Sequence, residues 1–475
     1  MAKHVDNRPN IILFITDQMR GDCLSIDGHP VIQTPYIDQE AGQGIHFKHG
    51  YTECPVCVPA RRSLMTGQRP ATQGVTMNYD TWLHGPTLPE ELAKAGYQTH
   101  LVGKLHLWPK RKRYGFESED WADSPVQADT DYDKWLNEQG LTMPNPGMAH
   151  GANQNGWVSR PFHLEERYHF TNWCADKAME FIGRRDPTRP FFLKVSFHQP
   201  HEPCTPPQMY WDRYMNMDLG EPWEGDWSHY YDEVPKGQGV CSWRTLLSPA
   251  QLKQYRAGYY GCINHIDDQI GRIMCWVPRN TIFIFTSDHG EMLGDHQWIR
   301  KRNAFEPSAR IPYVIRFPEE MGIPQKRVCE APVQLMDLMP TLLDAAGAAI
   351  PESVDGQSLL PYLRGEAEWR EYVHGECADV PSMESGMQYV TNGKQKYIWF
   401  PGPGEELYFD LEKDPKELHN LAQDADRQDE IAIWRQRLIQ ELAGRPEGFV
   451  KDGKLVALGS NTPFCLPGYE KENFV

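Results

Sequence analysis

A chain of 475 residues is too long for one compact core, so a large domain with a smaller companion is expected. Its formal charge of -17 excludes an extended nucleic-acid surface, and the longest basic run, residues 110–113, reads as a solvated loop. No segment reaches the roughly 18 apolar residues of a membrane span, and the N-terminus lacks the basic-then-apolar layout of a secretory leader. The eleven scattered cysteines fit a reducing compartment better than a disulfide framework, so the expected location is cytoplasmic.

In chain order, residues 11–16, 99–102, 191–197 and 281–286 are short runs rich in β-branched and aromatic residues, predicted as buried strands of a mostly parallel sheet. Polar chemistry follows each at once: Asp17 and Gln18, then Lys104 and His106, then His198 and His201, then Asp288 and His289. In open α/β sheets ligands bind beyond the carboxyl ends of the strands, so the four endings point to one rim. Between them, residues 87–96 predict a helix with a Thr87/Glu90 capping box and Gly96 as its stop. From Ser248-Pro249 a longer helix carries Leu252, Tyr255, Tyr259, Ile263, Ile266, Ile270 and Ile273 at three- and four-residue spacing, a stripe read as core. Residues 103–190, between the second and third strands, and 204–247 lack clear periodicity and read as functional loops, with 108–133 and 204–243 as the expected specificity loops and Trp108, Trp121, Trp211 and Trp223 as pocket walls or, equally, satellite core. Past Gly365, residues 387–390, 396–400 and 406–411 predict an antiparallel meander followed by a helix bearing Ile431, Trp434, Leu438 and Leu442. The expected division is therefore residues 1–365, a catalytic α/β domain, and 366–475, a small α+β domain. Its tail from residue 449 is expected to wrap the body or a second subunit.

Cys54 and Cys57 form a CxxC pair, which alone reads as a redox dithiol, half a zinc site or coincidence. No second CxxC exists. Pro59 suits a first helical turn and Gly67 a stop, which puts Cys57 at a helix N-terminus, where backbone N–H groups favour an anion. Asp17 and Asp288, each closing a strand, offer two carboxylates to a hard divalent cation, whereas either alone would read as a turn or cap residue.

The run Cys57-Val58-Pro59-Ala60-Arg61, with Thr66-Gly67 after it, resembles the CxPxR...TG signature of the formylglycine-dependent (type I) sulfatases of the alkaline phosphatase superfamily. Flanking motifs follow in the family's order: Gly103-Lys104-Leu105-His106, Pro200-His201-Glu202-Pro203, Asp288-His289-Gly290-Glu291, Lys301, and the closing segment from Leu407 to Leu421. The resemblance implies an alkaline phosphatase-like fold, a large mostly parallel sheet sandwiched by helices, with a smaller C-terminal domain containing an antiparallel sheet. It implies a maturation enzyme that oxidises Cys57 to formylglycine. It implies one divalent cation, calcium first with magnesium or manganese as alternatives, on Asp17, Gln18, residue 57, Asp288 and His289. Gln18 stands where many members have a second Asp and His289 where some have Asn, so the site carries fewer formal negative charges; Ala60 replaces the Ser common after the motif proline, which bears on the maturation system and not on the modification itself.

The implied chemistry is attack on sulfur by the hydrated aldehyde, with Asp288 as a candidate base. His201 then protonates the leaving oxygen and His106 takes the proton that releases sulfate. Arg61 would hold formylglycine and Lys104 and Lys301 the sulfate oxygens. A lone His after a strand is more often a structural hydrogen-bonder; several cations on one rim reverse that reading. The expected substrate is a sulfate ester, a sulfated carbohydrate before an aryl or choline sulfate. A phosphonate or phosphate ester hydrolase of the same superfamily is the alternative, opposed by the GKxH lysine and histidine; a non-catalytic binding protein on the same fold comes third. A homo-oligomer joined through the tail is also expected.

Overall fold

The computed structural model describes residues 6–141, 151–379 and 386–469. β1 (Asn10–Asp17), β2 (Ile45–Phe47), β3 (Gln98–Gly103), β4 (Ser118–Trp121), β5 (Phe191–Pro200), β6 (Thr281–Ser287), β7 (Tyr313–Arg316) and β8 (Arg327–Cys329) form one eight-stranded sheet. The order is β8-β2-β7-β6-β1-β5-β3-β4, and β7 alone runs against the rest. The four strands expected from sequence are its centre, buried on both faces, which is why their hydrophobic runs are nearly continuous.

Helices cover both faces: α1 (Pro35–Gln43), α2 (Cys57–Thr66), α3 (Leu88–Lys94), α4 (Phe170–Arg184), α5 (Gln208–Met215), α6 (Pro249–Met274) and α7 (Leu338–Ala345). Ile12 and Phe14 of β1 face Ile37 of α1, Trp173 of α4 and Ile263 and Ile270 of α6. Ile11, Leu13 and Ile15 face the opposite layer, with Leu64 of α2, Leu88 and Leu92 of α3 and Leu338 of α7. This period-two alternation locks the strand register, since a one-residue slip would exchange the two cores. Ser248 caps α6 in a capping box with Gln251. The box expected at α3 does not form: Thr87 stands at the N-cap, but its hydroxyl donates to the Tyr114 carbonyl at 2.6 Å. α4 and α5 lie inside the segments read as irregular: the buried face of α4 mixes Thr171, Asn172 and Cys174 with Phe170 and Trp173, and the two buried tyrosines of α5 are too few for a visible stripe.

The C-terminal part is a four-stranded antiparallel sheet, β9 (Val373–Cys377), β10 (Met387–Thr391), β11 (Gln395–Trp399) and β12 (Glu406–Asp410). α8 (Gln428–Leu442) packs Ile431, Trp434 and Leu438 against Val390, Tyr397, Trp399 and Tyr408. The other face, Tyr389, Ile398, Leu407 and Phe409, packs on Tyr51, Trp227 and Phe305 of the larger body. Lys396 crosses this contact, donating to the Ala304 carbonyl at 2.8 Å and pairing with Glu306 at 2.6 Å and Glu417 at 3.0 Å. The tail runs over its own chain: Leu466 N–H donates to Gly74, Thr76 N–H to Phe464 and Tyr469 O–H to Thr72.

Candidate active site

Strand register assembles the site. Thr16 pairs with Ser287, so Asp17 and Asp288 emerge side by side from β1 and β6. Asp17 is opposite Pro200 on β5, which brings His201 beside it, and Gly103 opposite Ser196 places Lys104 on the next edge. Gly103 is needed there: its φ is +85°, and a Cβ would lie 2.2 Å from the Ser196 carbonyl oxygen. Cys57 opens α2, and Gly67 closes that helix in the left-handed conformation.

Asp17, Cys57, Asp288 and His289 each turn a ligand atom to one point, all within 4.8 Å of one another, and all are buried. Cys57 Sγ lies 3.2 Å from His289 Nε2 and 3.7 Å from Asp17 Oδ1. His289 Nδ1 donates to the Gly290 carbonyl at 3.1 Å, so the Nε2 lone pair faces the cluster, the tautomer a metal ligand needs. Two carboxylates suit calcium or magnesium, and oxidation of Cys57 to an aldehyde would replace its soft sulfur with an oxygen donor. The donor set therefore fits a hard divalent cation.

Cations surround the cluster. Arg61, fully buried, donates from Nε to Asp288 at 2.8 Å, from Nη1 to Ser196 Oγ at 2.9 Å and the Lys104 carbonyl at 3.2 Å, and lies 3.5 Å from Asp17. Lys104 pairs with Asp17. Lys301 Nζ lies 2.5 Å from Gln18 Oε1 and 3.5 Å from Cys57 Sγ. Burial and Asp17 push the Cys57 thiol up, but chiefly Lys301 and Lys104 outweigh them and hold it well below the usual thiol range. Position 57 thus favours an anion. Burial opposes ionisation of Asp17, yet Lys104, Arg61 and Lys301 keep its carboxyl well below the usual range. Burial, then Lys301, holds His201 well below 6.5, while its Nδ1 donates to the Glu202 carbonyl at 2.9 Å.

Gln18 turns its amide oxygen to Lys301 and its amide nitrogen to Glu291, 2.6 Å away, and Glu202, 3.0 Å away. Burial beside Glu202 pushes the Glu291 carboxyl up to about 7. His106 stands half-buried at the rim with φ +56°; its Nδ1 has no partner among the described residues. Asp123 holds this turn, accepting from Leu105 N at 2.9 Å, His106 N at 2.8 Å and Trp121 Nε1 at 3.0 Å.

Sequence reading missed Asp123, Glu202, Glu291 and Asn78, whose Oδ1 accepts from Val58 N at 2.9 Å at the open end of α2. Asp123 stands two residues past β4 much as Asp17 closes β1, but β4 is too short and exposed to be read as a strand. The stripe of α6 is core and more: Tyr259 O–H donates to the Gln18 carbonyl at 2.6 Å, and Tyr255 O–H donates to Glu202. Cys54 is not the partner of Cys57; both thiols are free, and Cys54 faces the Thr76 carbonyl at 3.5 Å. Trp121 is core, while Trp108, Trp211 and Trp223 are half-buried. Among the described residues no helix is long and apolar enough to cross a membrane.

The chain matches the sulfatase family model over residues 9–348 and the model for the C-terminal part of N-sulphoglucosamine sulphohydrolase over residues 294–443. It is 40% identical over 473 residues to an arylsulfatase of Clostridium perfringens, covering 94% of this chain and 97% of that one. It is 30% identical over 441 residues to a choline-sulfatase of Rhizobium meliloti, covering 88% and 83%. The crystal structure of a phosphonate monoester hydrolase of Agrobacterium radiobacter superposes with a TM-score of 0.78 at 26% identity, covering 91% of this chain and 95% of that one. With two strand-end aspartates and a helix-opening cysteine meeting at one buried, cation-ringed point, the chain belongs to the sulfatase family of the alkaline phosphatase superfamily and is a sulfuric ester hydrolase.

Proposed function

We propose that the protein hydrolyses a sulfate monoester at residue 57, matured from cysteine to formylglycine by a dedicated enzyme. One divalent cation, calcium before magnesium or manganese, would be held by Asp17, Asp288, His289 and the residue 57 oxygen, with Gln18 as a further donor. The observation that carries this reading is the buried convergence of Asp17, Cys57, Asp288 and His289 with Lys104 and Lys301 directly upon it. When present, the cation and the hydrated aldehyde supply a Lewis acid and a nucleophile at neutral pH.

The chain's own residues do the rest. Arg61 orients the two carboxylates, a modification of its expected role, since its donors go to Asp288, Asp17, Ser196 and the Lys104 carbonyl. Lys104 and Lys301 hold the sulfate oxygens as point charges, while negative charge grows on the bridging oxygen as the S–O bond breaks. His201 presents Nε2 to the leaving oxygen, Nδ1 being committed to Glu202, and the anionic substrate draws the proton that burial otherwise keeps off this ring. His106, with an unpartnered Nδ1 at the rim, accepts the proton whose loss releases sulfate.

For the organic part we propose a ring, a sulfated carbohydrate first and an aryl sulfate second. Half-buried Trp108, two residues beyond His106, offers an indole that packs on a sugar's C–H face or an aryl ring alike. The runner-up is a phosphonate monoester, favoured by the Asp17-Gln18 pair and the Agrobacterium radiobacter fold. The test is a screen of the matured enzyme on sulfated monosaccharides, aryl sulfates, choline sulfate and a phenyl phosphonate monoester, with Cys57→Ala as control. A higher kcat/KM on a sulfate ester is expected, with loss of about 10^3-fold or more in the variant; a higher kcat/KM on the phosphonate overturns the assignment.

A further inference from the structure

Gln18 is a candidate ligand whose side chain has a choice of faces, because an amide carries an acceptor on one side and a donor on the other. Its backbone is held in the left-handed region at φ +71°, a conformation disfavoured for a residue with a Cβ. Two contacts keep it there: Gln18 N–H donates to Asp288 Oδ1 at 3.0 Å, and the Gln18 carbonyl accepts from Tyr259 O–H at 2.6 Å. The side chain therefore starts from a fixed point, and what remains to be set is which end of the amide faces Lys301 and the cluster.

Two carboxylates that the proposed chemistry does not use set it. Gln18 Nε2 donates to Glu291 Oε2 at 2.6 Å and to Glu202 Oε2 at 3.0 Å, which occupies both of its hydrogens. Glu202 is anchored by Tyr255 O–H, and Glu291 accepts from Leu293 N at 3.0 Å and from Arg300 N. Gln18, Glu202 and Glu291 are each no more than 1% exposed, so no bulk water competes. A flipped amide would turn its oxygen onto the Glu202 carboxylate, give up the Lys301 bond and put an N–H against the Lys301 ammonium.

We propose that Glu202 and Glu291 are positioning residues: together they clamp the Gln18 amide so that its oxygen is always presented to the cation site and to Lys301. The inference rests on the reading of Gln18 as a cation ligand. Partners that orient a ligand in this way typically carry 10- to 100-fold of metal affinity. Arg300 belongs to the same arrangement, since its N–H holds Glu291 while its neighbour Lys301 takes the other end of the amide.

The test is calcium binding to metal-stripped full-length protein by titration calorimetry, which needs neither substrate nor turnover. Glu202→Gln and Glu291→Gln keep size and shape but let residue 202 or 291 offer an N–H that competes for the same oxygen. Each is expected to weaken calcium binding about 10-fold, and the pair about 100-fold. In a Gln18→Ala background the same substitutions are expected to change nothing further, since the clamped group is gone. If Gln18→Ala binds calcium as the wild type does, the ligand reading fails. If Gln18→Ala is weakened but the glutamine variants bind as the wild type, or if their losses persist in the Gln18→Ala background, the clamp is overturned. Should Glu291→Gln fail to fold, Glu202→Gln, at the less heavily bonded carboxylate, decides the matter by the same cycle.

Discussion

Replacing Lys396 with methionine isolates the electrostatics that join the C-terminal sheet to the segment carrying Lys301. The Lys396 side chain is 0% exposed, and its ammonium bonds the Ala304 carbonyl at 2.8 Å, Glu306 at 2.6 Å and Glu417 at 3.0 Å. Methionine fills a similar volume but leaves Glu417 beside Glu306 without its ammonium, while Glu306 keeps Arg310 at 3.0 Å and the Tyr51 hydroxyl at 2.9 Å. Removing one partner of a buried ion pair costs about 3–5 kcal/mol, and that loss is expected for Lys396→Met at pH 7.5. The pH dependence distinguishes this cause from lost packing. In the wild type, burial first and Glu306 next already raise Glu417 to about 7 against the pull of Lys396, while Lys396 holds Glu306 below its ordinary value despite burial. Without the ammonium Glu417 rises further above its unfolded value and Glu306 loses the larger of the two cations that lower it, so the variant's missing stability is greatest at high pH and returns as pH falls toward the unfolded range near 4.3. Urea unfolding at pH 7.5 and pH 5 measures the gap, expected to fall to about half at the lower pH. Adding Glu417→Gln to Lys396→Met should recover about 1–2 kcal/mol at pH 7.5. A loss under about 1 kcal/mol, or one equal at both pH values, would refute the electrostatic reasoning.

Other expectations concern the turn, the helix cap and the nucleophile's support. Gly103→Ala combines a left-handed φ with a Cβ 2.2 Å from the Ser196 carbonyl, so a loss of about 2–4 kcal/mol is expected, with a fall in kcat/KM because Ser196 Oγ supports Arg61. His169 caps α4: its Nδ1 accepts from Thr171 N at 3.1 Å and its Nε2 donates to the Thr205 carbonyl at 3.1 Å. Burial lowers its pKa to about 4, so the unfolded chain binds the extra proton and this group's share of stability is lost as pH falls from about 6.5 toward 4. Between pH 6.5 and pH 5 the stability advantage over His169→Asn, which can still cap, should shrink by about 1.5 kcal/mol in urea unfolding. Asn78→Ala removes the acceptor for Val58 N at the opening turn of α2, and a loss of about 1 kcal/mol by the same assay is expected.

Much of the fold was legible because its central strands are buried on both faces and so carry unbroken β-branched runs, as at residues 11–16 and 281–286. α6 and α8 were legible from their stripes, and α2 from Pro59 and Gly67. β9 was missed because its sequence, VHGEC, alternates weakly and one of its faces is covered by another part of the chain. The candidate site was legible where a residue closes a strand, as Asp17 does, or follows one directly, as Lys104, His201 and Asp288 do, since register then carries them to one rim. Glu202 and Glu291 were not legible as a pair, because nothing in a sequence shows that residues 89 positions apart share one amide. Nor does hydrophobic spacing show that Tyr255 and Tyr259, read as core, end in hydroxyls that hold Glu202 and Gln18.

Residue 57 is the centre of the account, and its chemical state in active protein is the most direct test. Protein coexpressed with a formylglycine-maturation enzyme, digested and examined by mass spectrometry, should yield the peptide spanning Cys57 with an aldehyde that a hydrazide probe captures. The captured fraction should rise and fall with sulfate ester hydrolysis across preparations of graded maturation. Full activity in protein whose residue 57 is entirely thiol, or in Cys57→Ala, would contradict the account.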